Sequence, residues 1–250
     1  MRTLGVDLSA NPVKTAAAVL EWTPGQARLA ELRLGATDED IVRLVGNCDY
    51  TGIDCPLGWP ARLVPFLQGH LGNDAGAVLA HDGPEGRRVL AYRETDRFVA
   101  GLLRLVPMSV SADRLGHVAM RCAVIQAKIA RTAGPRRRDG SDGLAEVYPA
   151  ASLKAWGITA RKYKGGTDAA RLAREASLRS LRDQAGWLRL EGADAQLLAS
   201  DDDLHDALIA SLSARAAALG RTCPVPAGLE QAAAEEGWIH VPNTPLAGLI

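Results

Sequence analysis

The first forty residues constrain the fold most, because they contain three strand-like segments separated by short turns. Residues 3–8, 14–22 and 26–34 are apolar or alternate between apolar and polar side chains, as β-strands do. Asn-Pro and Thr-Pro-Gly turn signals stand between them. This part of the chain therefore predicts a three-stranded β-meander.

Strand and helix signals then follow one another to the end of the chain. Residues 50–54 (YTGID) predict a fourth strand, residues 144–148 (LAEVY) a fifth, and residues 238–241 a short further one, whereas the Gly-rich residues 69–91 predict irregular structure. One helix is predicted to begin after the N-cap Thr37. Further helices are predicted at about residues 60–67, 95–105, 112–131, 149–156, 168–185, 202–219 and 229–236.

The order of these signals predicts an α/β fold with a mixed sheet and helices on both faces. It fits a ribonuclease-H-like five-stranded sheet, in which the meander is followed by αβ units, although other α/β folds also have this order. A helical insertion is expected at about residues 60–142, between the fourth and fifth strands. A chain of 250 residues can form this fold as one domain, residues 1–250.

Composition excludes several classes of protein. Hydrophobic residues make up 47% of the chain and charged residues 23%, which is typical of a soluble globular protein. No run approaches the roughly 18 apolar residues of a membrane helix, and Asp7 interrupts the place of a signal peptide's apolar stretch. We therefore expect a cytoplasmic protein with no membrane partner. Four cysteines without CxxC spacing argue against a zinc site.

Charge is distributed unevenly although the chain is neutral as a whole. Residues 61–190 hold 22 basic and 12 acidic side chains, whereas residues 191–250 hold 2 basic and 9 acidic ones. A basic middle predicts an anionic partner, and solvated basic helices are the alternative explanation.

Three acidic residues stand at or near the ends of predicted strands. Asp7, Asp54 and Glu146 interrupt apolar segments, where aspartate is rare and a buried acid must be paired or bound to a metal. A turn or cap role is the alternative for the two aspartates. Ligands of α/β sheets gather near strand ends, so we expect the three side chains to lie at one site.

A fourth acidic residue, Asp206, lies beyond the first turn of a predicted helix. Ala207 and Ala210 follow it and would let that helix approach the sheet closely. The preceding acids Asp202 and Asp203 are explained by the helix dipole, but Asp206 is not. We therefore expect Asp206 to point into the same site, with His205 beside it as a surface residue or a proton carrier.

Carboxylates that are brought together raise one another's pKa unless a cation lies between them. A set without His or Cys suits Mg²⁺ or Mn²⁺, and two such ions can activate water for attack on phosphorus. The sequence thus predicts a metal-dependent nuclease. Its catalytic residues are Asp7, Asp54, Glu146 and Asp206, and the metal ligands are Asp7, Asp54 and Asp206.

Basic residues of the middle segment are candidates for holding nucleic acid. Arg93 and Arg97 are spaced i,i+4 beside a predicted helix start and could bind phosphate in a bidentate manner. Solvated surface charge is the alternative for all of them. The candidates are Arg93, Arg97, Arg136, Arg137, Arg138, Lys162 and Lys164.

Six short segments in a fixed order carry a resemblance to a known family. They are residues 5–9 (GVDLS), 52–60 (GIDCPLGWP), 92–96 (YRETD), 146–150 (EVYPA), 205–208 (HDAL) and 236–242 (EGWIHVP). Together they resemble the domain-of-unknown-function family number 429, whose members are usually described as predicted nucleases with a ribonuclease-H-like fold. Such nucleases place acids on the first strand, after the fourth strand and on a late helix, and Asp7, Asp54 and Asp206 match those places.

Two other functions remain open at this point. A non-catalytic module that binds nucleic acid or protein would keep the basic middle without needing all four acids. An actin-like or sugar-kinase-like phosphotransferase would need Gly-rich phosphate turns after the first hairpin, which residues 7–11 lack. The sequence does not choose between DNA and RNA, and it leaves a homodimer open.

Overall fold

Three strands form the meander that the sequence predicts. They are β1 (Arg2–Asp7), β2 (Ala16–Thr23) and β3 (Gln26–Leu34), and each is antiparallel to the next. The computed structural model describes residues 1–159 and 161–250.

Three further strands extend the meander into a six-stranded mixed sheet. β4 (Tyr50–Asp54) is parallel to β1, β5 (Leu144–Glu146) is parallel to β4, and β6 (Leu188–Arg189) is parallel to β3 at the far edge. The order is β5-β4-β1-β2-β3-β6. The predicted α/β fold with a mixed sheet is confirmed, but the prediction of five strands is wrong.

The sixth strand was missed because its two residues are too few to show any periodicity. The strand predicted at residues 238–241 is reduced to a single bridge between Ile239 and Glu146.

The helices follow as α1 (Asp38–Gly46), α2 (Leu63–Leu71), α3 (Ala75–Leu79), α4 (Gly83–Ala91), α5 (Glu94–Leu103), α6 (Leu115–Ala133), α7 (Pro149–Ala155), α8 (Asp168–Gln184), α9 (Gly192–Ser200), α10 (Asp202–Ala218) and α11 (Glu230–Glu236). Helices α2 to α6 lie between β4 and β5. Residues 69–91, expected to be irregular, contain α3 and α4, and each of these begins at an aspartate cap, Asp74 or Asp82. None of the described helices is both long and apolar enough to cross a bilayer.

Side chains alternate across the sheet and bury it on both faces. Leu4 and Val6 of β1 pack in one core with Ile41 of α1 and Ile125 of α6. On the opposite face, alternate residues of β2 pack in a second core against the apolar residues of α10. Helix α10 is buried along nearly its whole length, so it is the central helix of that face.

Two glycines let α10 lie directly against the sheet. Gly5 of β1 and Gly52 of β4 are register partners in the parallel pair. A Cβ atom at Gly5 would overlap the carbonyl oxygen of Ala207 and the amide nitrogen of Ser211, and one at Gly52 would lie 2.7 Å from the Ala210 carbonyl oxygen. Any larger residue at either position would therefore push the helix outward.

We expect Gly5→Ala to lower the free energy of unfolding by about 3 kcal/mol, because the new methyl group meets helix backbone that cannot rotate away. Gly101→Ala is the matched control: its site on α5 is exposed and has no atom within 4 Å of the added carbon. That change should be neutral or stabilising by up to about 1 kcal/mol. Urea unfolding measures both, and equal midpoints for the two variants would contradict direct contact between α10 and the sheet.

Candidate active site

Two aspartates lie side by side at the carboxyl ends of adjacent strands. Asp7 of β1 and Asp54 of β4 are register partners, and each stands two residues after the glycine on which α10 rests. Because side chains alternate across a strand, both carboxylates point to the α10 face of the sheet. The parallel pairing and the glycine contacts thus bring Asp7 and Asp54 beneath the start of α10.

Asp206 comes to the same place from the first turns of α10. The Asp201 side chain caps the helix by accepting a hydrogen bond of 2.9 Å from the amide of Leu204. The Asp206 carboxylate is buried, whereas Asp202 and Asp203 are partly exposed. Of the four helix acids, Asp206 is therefore the one directed into the protein.

A lysine ammonium lies among the carboxylates. Lys164 Nζ forms an ion pair with Asp206 and stands 4.0 Å from Asp7 Oδ2 and 3.9 Å from Asp202 Oδ2. The neighbouring Tyr163 hydroxyl donates a hydrogen bond of 3.0 Å to Asp206 Oδ1. Asp206 is thus bound on both sides by the Tyr163–Lys164 pair, while none of the described residues places a donor as close to Asp7 or Asp54.

The protonation of the site follows from burial and from like charge. Burial, and then repulsion from Asp206, raises the pKa of Asp54 to about 8. Burial raises the pKa of Asp7 well above its usual value, and Asp54 and Asp206 add to this rise. Burial would also raise the pKa of Asp206, but His205 and Lys164 outweigh it and hold that pKa below its ordinary value. Asp7 and Asp54 therefore lose their protons only at a higher pH than ordinary aspartates do, and ionising both of them beside Asp206 requires more positive charge than Lys164 supplies.

The donor set matches the chemistry of a hard divalent cation, since it consists of carboxyl oxygens that need a further positive charge in order to ionise together. In the described part of the chain, however, no three acidic, histidine or cysteine side chains stand close enough together to hold an ion as they are. The Lys164 ammonium is the positive charge that pairs with the Asp206 carboxylate. Binding of a metal by all three aspartates would require Lys164 to leave Asp206.

A cavity of about 480 Å³ opens above the three aspartates. Its polar floor contains Asp7, Asp54, Asp206 and Lys164, and the Tyr148 side chain also lines it. The cavity has room for one small organic group next to the carboxylates.

Glu146 lies at the same cavity but is bound to the protein on both of its oxygens. Its Oε1 and Oε2 atoms each accept a hydrogen bond of 2.7 Å from Arg93, and Oε2 also accepts one of 3.0 Å from the amide of Leu57. Arg93 is only 1% exposed and also binds both oxygens of Asp96 and the carbonyl oxygen of Glu236. We call this group the Arg93 clamp. It joins β5, α5 and α11, and it leaves Glu146 without a free oxygen and Arg93 without an exposed face.

The other basic candidates do not gather around the aspartates. Arg97 is paired with Glu94 at the start of α5. The arginines at 136–138 have other partners: Arg136 donates to the carbonyl oxygen of Asp142, Arg137 is paired with Asp139, and Arg138 donates to the carbonyl oxygen of Glu235 in α11. Lys162 is exposed, so of the seven candidates Lys164 is the one paired with an aspartate of the site, whereas Arg93 binds Glu146.

A family model described as "Protein of unknown function (DUF429)" matches residues 5–231. The chain belongs to the DUF429 family. The family resemblance is thereby confirmed, with five of the six short segments inside the matched range and residues 236–242 beyond it, and the description itself assigns no activity. Comparison of this DUF429 chain with curated proteins found no match. Comparison with solved structures found none either.

One residue that positions the DUF429 site carries no local sequence signal. Arg174 of α8 is buried, and its guanidinium donates to the carbonyl oxygens of Tyr163, Gly165, Ala199 and Ser200. Two of these carbonyls flank Lys164. Arg174 therefore fixes the loop that presents Tyr163 and Lys164 to Asp206, a role hidden in the sequence by the many other arginines of α8.

We expect Asp54→Asn to stabilise this DUF429 protein in metal-free buffer, increasingly so as the pH rises. The folded pKa of about 8 lies above the ordinary value of 3.8, so the folded state binds this proton more tightly than the unfolded chain does. The wild type should therefore lose stability between about pH 4 and pH 8. The variant lacks that loss and should be more stable at pH 8 by about 1–3 kcal/mol.

Denaturant unfolding at several pH values measures this difference, with Asp183→Asn as the control because Asp183 is an exposed acid on α8. A difference between wild type and Asp54→Asn that does not change with pH would show that Asp54 is charged at all these values.

Arg174→Met should destabilise the protein by about 3 kcal/mol, because it leaves buried carbonyl oxygens without donors. It should also speed amide exchange in residues 161–167 more than elsewhere. Arg179→Met, at an exposed position of the same helix, should change neither quantity. Hydrogen exchange read by mass spectrometry separates the two variants, and unchanged exchange of this loop in Arg174→Met would contradict the positioning role.

Proposed function

We propose that the protein is a divalent-metal-dependent nuclease of ribonuclease-H-like fold, which hydrolyses phosphodiester bonds of DNA or RNA. The observation that carries the proposal is the meeting of Asp7, Asp54 and Asp206 beside one cavity, where ionising all three carboxyl groups requires more positive charge than Lys164 supplies. Asp7 and Asp54 have no partner as close as those of Asp206, and burial of such acids is costly, so a bound cation or a reacting group would offset that cost.

The architecture supports the ribonuclease-H-like assignment. An antiparallel meander is followed by β4 and β5, both parallel to β1. Acids stand at the end of the first strand, at the end of the fourth strand and on a late helix, as in the nucleases that the sequence resembles. Because fold alone does not determine activity, the proposal depends on the site.

Asp7, Asp54 and Asp206 are the residues that would hold Mg²⁺ or Mn²⁺. When bound, the ion neutralises charge on the phosphate and makes a water molecule more acidic. The Lys164 side chain is 52% exposed, and if its ammonium left Asp206 it could bind a phosphate oxygen at the mouth of the cavity.

Neighbouring residues keep the aspartates in place. Tyr163 remains protonated because burial and the Asp206 carboxylate raise its pKa, so it continues to donate to Asp206. The Arg93 clamp occupies both carboxylate oxygens of Glu146. We therefore propose that Glu146 supports the cavity wall through Arg93, and that the three aspartates carry the chemistry.

The alternative activities have less support. The connection from β1 to β2 is closed by a 3-10 helix (Pro12–Lys14) and residues 8–15 contain no glycine, so it offers no phosphate-binding turn to a phosphotransferase. A non-catalytic binding module would correspond to a site in which Lys164 stays on Asp206 permanently.

We expect Asp7→Asn to lower divalent-dependent cleavage by at least about a hundredfold, because it removes a charge that holds the metal. Stability without metal should stay the same or rise, since one of three repelling carboxylates is neutralised. Mg²⁺ should raise the melting temperature of the wild type more than that of the variant. Asp183→Asn should behave as the wild type does.

The measurements are melting with and without Mg²⁺ and cleavage of single-stranded, duplex and branched DNA and RNA. A wild type that cleaves none of these with Mg²⁺ or Mn²⁺ would refute the nuclease proposal in favour of a binding module. Full activity of Asp7→Asn would remove Asp7 from the mechanism.

A further inference from the structure

The cavity above the aspartates has a second wall that is apolar. It is formed by the segment that joins α5 to α6 and by the first turn of α6 itself, with Val106, Pro107, Met108, Leu115 and Val118. We call these five residues the apolar wall. Val106 is 73% exposed and Met108 is 46% exposed, so the wall offers apolar surface to whatever enters the cavity.

Positive charge at this cavity is scarce. Of the two basic residues that line it, Arg93 is buried in the clamp and Lys164 is paired with Asp206. Proteins that hold nucleic acid through its backbone place several exposed cations along it. This cavity therefore has little means of gripping a phosphate backbone, and its larger accessible surface is apolar.

The size of the cavity adds a second restriction. A volume of about 480 Å³ suits one small organic group and is too small for a base-paired duplex. The two flat faces of a nucleobase are apolar, and a flexible thioether such as that of Met108 adapts to bases of different shape. An unstacked base is thus a group that matches both the volume and the lining.

We propose that the apolar wall receives one unstacked base of a single-stranded nucleic acid, next to the phosphate that lies at the aspartates. This inference rests on the proposed function and names its substrate class: single strands, or nucleotides displaced from a duplex. Bases in single strands are free to contact apolar side chains, whereas paired bases are stacked on their neighbours. Because every base has such a face, the wall selects unstacked nucleotides without selecting sequence.

Binding without metal tests the apolar wall separately from catalysis. The probes are a fluorescent single-stranded oligonucleotide, the duplex of the same sequence and a single strand made of abasic sites, each titrated in EDTA at low salt. The single strand should bind about tenfold more tightly than the other two, because only its bases can reach the wall.

Met108→Ser should weaken binding of the single strand about threefold to tenfold and leave binding of the abasic strand unchanged. Met120→Ser is the matched control, because Met120 is 59% exposed on α6 and does not line the cavity. It should change neither affinity. Since both methionines are largely exposed, neither variant should affect folding.

Equal affinity for the three probes, the same effect of the two methionine variants, or no binding of any probe would overturn this inference. A cleavage assay in Mg²⁺ tests the proposed nuclease function independently of these binding measurements. A wild type that cleaves duplex as fast as single strand would uphold the nuclease and refute the selection of unstacked bases. Preferential binding of the single strand without cleavage by any metal would uphold the apolar wall and refute the nuclease.

Discussion

Contact between the backbone of α10 and the glycine pair Gly5 and Gly52 determines the geometry of this protein's functional face. The helix cannot move outward without opening a gap, or inward without overlap, because backbone lies on both sides. A hydrogen bond of 2.9 Å between the hydroxyls of Thr3 and Ser211 fixes its rotation as well. The two strands and the helix are therefore rigidly joined at residues next to, or two positions from, the aspartate that each of them contributes.

Rigid positioning explains how the site can tolerate its own repulsion. Three carboxylates in a partly buried place oppose one another, and Lys164 and Tyr163 relieve mainly Asp206. The packing of α10 against the sheet offsets the remaining repulsion, because its many buried van der Waals contacts each stabilise the fold slightly. Holding these acidic groups close together lowers the stability of the fold, which is a common feature of functional sites.

Local sequence patterns predicted most strands and helices well. They could not predict which charged side chains pair with partners far away in the sequence. Residues 26–34 and 50–54 coincide with β3 and β4, because alternation and turn signals are local. The positions of Asp7, Asp54 and Asp206 followed from strand ends and a helix face. The burial of Arg93 and Arg174 did not follow, since their partners are carbonyl and carboxylate oxygens up to 143 residues away. The local sequence around an arginine does not show whether its guanidinium is exposed to water or buried among distant acceptors.

The Arg93 clamp has a consequence for how the chain can be divided. Beyond its carbonyl contact with Arg93, Glu236 accepts hydrogen bonds from the amides of Ala61 and Glu94 through its carboxylate, at 2.8 and 2.7 Å. The family match ends at residue 231. A fragment cut there would lose these three hydrogen bonds together with the contact of α11 with the clamp, and water would have to replace the lost acceptors. The segment defined by sequence comparison therefore ends before the last residues that hold the Arg93 clamp together.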